Sequence, residues 1–284
     1  MTDVADGMNR RTVADRAVTP ERLLLNGKPA EIDDLKALAL LNYGHFTSMQ
    51  VSDGRVRGLD LHLARLERAT RELFWSALDT AMVRSYMRGA LDGRADAWSL
   101  RISVFSRAFH RDHPARPATP DVLVTVGAPR KGSGASSRLE TFHHERVLPH
   151  IKHVGTFPLF HYRRLAQLDG FDDALFVDGA DLISEASVWN VGFFDGNGVV
   201  WPDAPALAGI SMQLLQAGLQ QRGVPTTSRR IARADIATFR SAFLTNSSCA
   251  VQPIAAIDGV HFTVDPDLNR LLEECYDANP SQEI

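Results

Sequence analysis

Cysteine is nearly absent: Cys249 and Cys275 are all the chain has in 284 residues. Two thiols so far apart have neither the density of a disulfide scaffold nor metal-ligand spacing, so no metal is expected and a reducing, cytoplasmic compartment fits best. Also missing is any run near the roughly 20 apolar residues that cross a bilayer, which argues against a membrane partner. Residues 1–20 lack the apolar stretch of a signal peptide and carry Asp3, Asp6 and Asp15 among their arginines. They show no apolar period and read as a tail or a partner-contacting arm. No basic block occurs either. The 31 Lys and Arg are spread among 34 Asp and Glu for a formal charge of −3, so nothing would track a phosphate backbone and nucleic acid is an unexpected partner.

What the chain does have is core material. Hydrophobic residues make up 44% of a length that exceeds one compact core, which predicts two domains. Arg22 to Leu25 before Asn26-Gly27 reads as a strand closed by a turn, and Phe46 to Val51, Asp53-Gly54 and Arg55 to Arg57 read as a hairpin. Helices are predicted from Leu61 through Phe74 and over Ala81 to Leu91, followed by strands at Leu100 to Phe105 and Val122 to Val126. The glycine- and serine-rich segment Pro129 to Ser137 reads as a linker, giving domains over 21–130 and 138–284. Beyond it the pattern predicts a helix over Phe157 to Leu168, strands at Ala174 to Val177, Val188 to Phe194 and Val199 to Trp201, and a helix after Gly209. A strand at Phe243 to Thr245 and a helix over Leu268 to Tyr276 complete an α+β chain.

Lys152 is one of few lysines in an arginine-rich chain, and it stands between a strand-like segment and a helix, where a long amine can enter a cleft between domains. Burial or nearby positive charge would leave that amine partly neutral, as a lysine that attacks carbonyls requires. Glu185, Gly209-Ile210-Ser211 ahead of an apolar helix and Asn246-Ser247-Ser248 are further polar groups near element ends, and Arg65 lies on the helix that starts at Leu61. Taken singly, each has a plainer reading: a solvated lysine, a strand-end carboxylate, a helix cap at Ser211, a solvated helix face at Arg65.

Their order along the chain resembles the class IV aminotransferases, the pyridoxal phosphate (PLP) fold-type IV family that includes D-amino acid aminotransferase, branched-chain aminotransferase and aminodeoxychorismate lyase. Lys152-His153, a helix, then Gly170-Phe171-Asp172-Asp173-Ala174-Leu175 is similar to the family's cofactor-lysine region, with a close likeness to the lyases. Ser184-Glu185 followed by Asn190 is similar to its "(T/S)-E-x-x-x-x-N" strand, and His62 to Leu66 to its "H-x-x-R-L" helix. The resemblance implies a two-domain α+β fold with the cofactor in the inter-domain cleft, a homodimer, and PLP held as a Schiff base by Lys152. It further implies that Glu185 contacts the pyridine nitrogen, and that Arg65, Gly209, Ile210, Ser211 and Ser247 hold the phosphate.

For the substrate, Tyr43-Gly44-His45-Phe46-Thr47-Ser48 resembles the family's early pocket wall, in a shortened form that makes Tyr43 and Thr47 candidates. Arg111-Asp112-His113 resembles a carboxylate-binding Arg-x-His. Phe157 stands where branched-chain aminotransferases carry a cofactor-touching tyrosine, which argues against that subclass. The implied function is amino transfer between a small amino acid and a 2-oxo acid. Its alternatives are pyruvate elimination by a 4-amino-4-deoxychorismate lyase and a non-catalytic PLP-fold binding protein.

Overall fold

The computed structural model describes residues 22–93, 96–130, 132 and 134–284. The expected N-terminal tail lies outside the described residues, as do Lys131 and Ser133 of the expected linker. In chain order the first half holds β1 (Arg22–Leu25), β2 (Lys28–Pro29), α1 (Ile32–Leu41), β3 (His45–Val51), β4 (Arg55–Arg57), α2 (Leu59–Phe74), α3 (Thr80–Leu91), β5 (Trp98–Phe105) and β6 (Asp121–Gly127). The second half holds β7 (Ser137–His143), α4 (Phe157–Leu168), β8 (Asp173–Val177), β9 (Ile183–Ala186), β10 (Asn190–Phe194), β11 (Val199–Pro202) and α5 (Ile210–Gln221). It continues through β12 (Thr226–Arg229), a 3-10 turn (Arg233–Thr238), β13 (Ser241–Asn246), β14 (Cys249–Ile257), β15 (Val260–His261), α6 (Pro266–Asp277) and β16 (Ser281–Glu283).

A five-stranded antiparallel sheet runs β2-β1-β6-β5-β3. Strand side chains alternate between faces, so Leu100, Ile102 and Val104 of β5 and Val122, Val124 and Val126 of β6 point one way. There they pack against Leu59, Leu63, Leu66 and Phe74 of α2 and Val83 and Met87 of α3. The hairpin turns as its sequence requires, with Asp53 and Gly54 both at positive φ. The opposite face of β3 and β5, carrying Phe46, Ser48 and Arg101, is left free to line a cavity.

The second sheet has nine strands in the order β12-β11-β10-β13-β14-β7-β8-β9, with β15 on β14. Its β14-β7 and β7-β8 pairs are parallel. The helix α4 fits the crossover that a parallel pair needs, and it has the bounds that periodicity predicts. Helix α1 and strand β7 were not predicted. None of the α1 residues is fully buried: Ile32 and Leu40 are 84% and 71% exposed, and only half-buried Leu35, Ala37 and Leu38 pack against Leu25, Phe105 and Leu123, which leaves a weak apolar stripe. The end of the chain returns to the first sheet region, where β16 pairs with β4 and Ile284 enters the core.

Candidate active site

Backbone pairing carries Lys152 to the junction of the sheets. Its carbonyl accepts from Phe46 N–H at 2.9 Å, and Val154 N–H donates to Gly44 O at 3.0 Å, so the start of β3 grips the chain at the lysine and just after it. Lys152 is half-buried, with Nζ 5.1 Å from the centre of the Phe46 ring. Burial, then the charges of Arg65 and Arg146, push its ammonium down to about 7, against the opposing pull of Glu185. Near neutral pH a large fraction of this amine is therefore unprotonated and nucleophilic.

Glu185, 4% exposed on β9, faces the same space. Burial pushes its carboxyl up, while Arg146 and the Leu207 N–H pull it down. Arg146 Nη1 donates to Glu185 Oε1 at 3.2 Å and Arg146 Nη2 to Ile151 O at 3.1 Å. Arg146 thus ties the carboxylate to the lysine's own strand of chain. It escaped the sequence reading, and its place shortly before Lys152 was the one signal for it.

A cavity of about 220 Å³ encloses these groups. Lys152, Glu185, Arg65, Gly209, Ile210 and Ser247 all line it, so the structure brings together six of the residues singled out in the sequence. Gly209 precedes α5, whose start has no side-chain cap. The first N–H groups of a helix lack intrahelical partners and favour an anion. A Cβ on Gly209 would sit 1.9 Å from Asn190 Oδ1, so any larger residue at that turn forces the buried Asn190 side chain to shift. Asn190 Nδ2 also donates to Leu207 O at 2.7 Å, and Leu207 N–H to Glu185 Oε2 at 3.3 Å, so two residues of one motif hold the approach to the helix. Unpartnered polar atoms point to a missing anion as well: Arg65 Nε and Thr245 Oγ1 are buried without a partner, and both residues line the cavity. Thr245 is a site residue that sequence reading did not find, hidden inside the strand β13.

Other expected residues lie elsewhere. Ser211 is 2% exposed, does not line the cavity and hydrogen-bonds Tyr276, which leaves only its backbone for a ligand. Thr47 is on the wrong side of β3: strand parity turns it with Met49 and Val51 toward α2, while Phe46 and Ser48 face the cavity. Tyr43 stacks on Phe109 at 4.4 Å and donates to Leu73 O at 3.1 Å, away from the cavity. Arg111 and His113 are exposed on a loop, His113 stacked on His110, and neither reaches the cavity within this chain. Phe157 is 77% exposed and does not line it either. In their place Arg101, Arg130 and Arg163 stand around the opening with Trp189.

The mixed helix-and-sheet chain matches the structures of fold-type IV aminotransferases. The chain belongs to the class IV aminotransferase family, whose model matches residues 44–257. In fold it is similar to a branched-chain aminotransferase of Thermoproteus uzoniensis solved with norvaline, with TM-score 0.81, 16% identity, and 90% of this chain and 94% of that one covered. It is likewise similar to the PLP form of a branched-chain amino acid aminotransferase from Thermobaculum terrenum, with TM-score 0.78, 15% identity and 91% and 94% covered. A fold IV-transaminase from Curtobacterium pusillum gives TM-score 0.74 at 22% identity over 86% and 91%. No curated protein matches the sequence. No helix among the described residues is long and apolar enough to cross a membrane.

Proposed function

We propose that the protein is a PLP-dependent transaminase moving an amino group between a small amino acid and a 2-oxo acid. The observation that carries this reading is Lys152, whose amine is held at about 7 inside a cavity opposite Glu185. The cofactor would be held by Lys152 and by the phosphate wall of Arg65, the α5 start at Gly209-Ile210, and Ser247. Arginine suits that task through its permanent charge. Bound there, PLP supplies an electron sink for the charge left at the substrate's Cα. Glu185, whose charge Arg146 secures, would keep the pyridine nitrogen protonated. Lys152, displaced by the incoming amine, would remove the proton at Cα and return it as general base and acid.

We take the cavity to lie between domains 21–130 and 138–284, and the protein to be a homodimer. Exposed Val147, Leu148, Phe157 and Phe160 support an interface near the site, which light scattering would test. Both cysteines are free, in keeping with a reducing, cytoplasmic setting.

A second reading is 4-amino-4-deoxychorismate lyase, and the cationic mouth favours it. Arg101, Arg130 and Arg163 exceed what the carboxylate of a simple amino acid needs. The deciding experiment is an absorption spectrum of the purified protein, followed by a screen of D- and L-amino acids. Conversion of the cofactor to its amine form supports transfer; pyruvate release with an unchanged spectrum supports elimination. A colourless protein that cannot be reconstituted with PLP overturns both.

A further inference from the structure

Behind the phosphate wall lies a buried polar cluster that the proposed chemistry leaves unused. Thr47 is 0% exposed, and its Oγ1 lies 2.6 Å from His62 Nδ1 while accepting from Arg65 Nη2. His62 and Arg65 share one face of α2, one turn apart, and Thr47 reaches both from β3. A guanidinium only donates, so the threonine oxygen accepts from Arg65. With one proton and a second lone pair left, the same hydroxyl bonds His62 Nδ1 in either tautomer of the neutral ring. Burial, then the charges of Arg65 and Lys152, hold His62 well below its ordinary range, so the neutral ring is the form that exists near neutral pH.

This relay, from guanidinium to hydroxyl to imidazole, engages one Nη of Arg65 and leaves its buried Nε without a protein partner. Neither Thr47 nor His62 lines the cavity, whereas Arg65 does. We propose that Thr47 and His62 are positioning residues: they brace the Arg65 guanidinium so that its free edge meets the cofactor phosphate, and thereby set how strongly the site distinguishes a phosphorylated cofactor from its phosphate-free form. The inference rests on the reading of the cavity as a PLP site.

The test titrates apoprotein with PLP and, separately, with pyridoxal, which keeps the ring and aldehyde and lacks the phosphate, following the lysine-bound chromophore. Thr47→Val removes the hydroxyl at nearly constant volume. It should reduce the preference for PLP over pyridoxal about tenfold, the worth of a hydrogen bond to a charged group. Thr47→Ser should restore most of it. His62→Leu should reproduce the loss, and it keeps the test open should Thr47→Val fail to fold. Weakening of both ligands alike would mean general damage and overturns the brace. An unchanged preference in Thr47→Val and His62→Leu, beside a wild type that prefers PLP, overturns the brace alone. A wild type with no preference overturns the cofactor reading as well.

Discussion

The inner end of the cavity and its mouth carry similar arginines under opposite conditions. Inside, Arg65 is 6% exposed, and the Arg146 and Glu185 side chains are 7% and 6% exposed. Each has protein partners: Arg65 holds Thr47, and Arg146 holds Glu185 and the Ile151 carbonyl. At the mouth, Arg101 and Arg130 are exposed, and the Arg163 side chain is 34% exposed at 3.6 Å from Asp173. Arg101 lies over the Phe46 ring at 3.5 Å and donates through Nε to Ser103 at 3.2 Å, and partial burial beside Arg130 pushes its guanidinium down to about 10. A charge taken out of water needs compensation, because leaving it unpaired costs several kcal/mol; Arg146 has it in Glu185, whereas Arg65, with the Thr47 hydroxyl and an unpartnered Nε, keeps a demand that a bound anion would meet. A charge at the rim keeps part of its hydration and can wait for a ligand. On the proposed reading, cofactor binding would fall to the preorganised end and substrate choice to the open one.

The contrast breaks most visibly at Lys152. Lys152→Ala should lower turnover by about 10³ to 10⁴-fold, the scale of a lost general acid and base, with an unchanged circular dichroism spectrum; activity within tenfold of wild type would remove the lysine from the chemistry. Arg146→Leu should cost about 3–5 kcal/mol of stability in urea unfolding, since it strands Glu185 as an unpaired buried charge. It should also move the pH at which Lys152 reacts with an amine reagent upward from about 7, because a cation that holds the ammonium down is gone. A downward move would contradict that electrostatic account.

Gly209→Ala should be smaller, about 1–3 kcal/mol of overpacking, and should weaken PLP binding, since the new methyl meets Asn190 at the helix start. Equilibrium dialysis would detect it. The mouth should give the mildest response. Arg101→Ala should leave stability within about 0.5 kcal/mol, yet raise KM for an acidic substrate about tenfold more than for a neutral one. Equal effects on both would assign the mouth no role in reading substrate charge.

Where pattern and fold agree, the reason is local. The α4 limits follow from periodicity, and β3 with β4 from an Asp-Gly turn that only a tight hairpin uses. The lysine, the glutamate and the glycine turn were legible because they follow one another in a recognisable order along the chain, the lysine and the glycine ahead of helices and the glutamate within β9. Thr47 was misread for a reason of parity: a strand shows one face in two to the cavity, and nothing in the segment His45 to Ser48 says which. Arg111 and His113 looked suitable by type, but type does not say where a loop points. Arg146, Arg163 and Thr245 were illegible because their value depends on what lies opposite them.

By itself, the sequence determined most of the larger elements, their order and the family-like succession of Arg65, Lys152, Glu185 and Gly209, since these depend on neighbours along the chain. Tertiary structure alone decided that Phe46 N–H and Gly44 O would seize the backbone at and after Lys152, that Arg146 would anchor Glu185, and that Thr47 would turn from the cavity to accept from Arg65. Those outcomes turn on strand register and on burial, which shifts an amine or a carboxyl only when distant segments close over it.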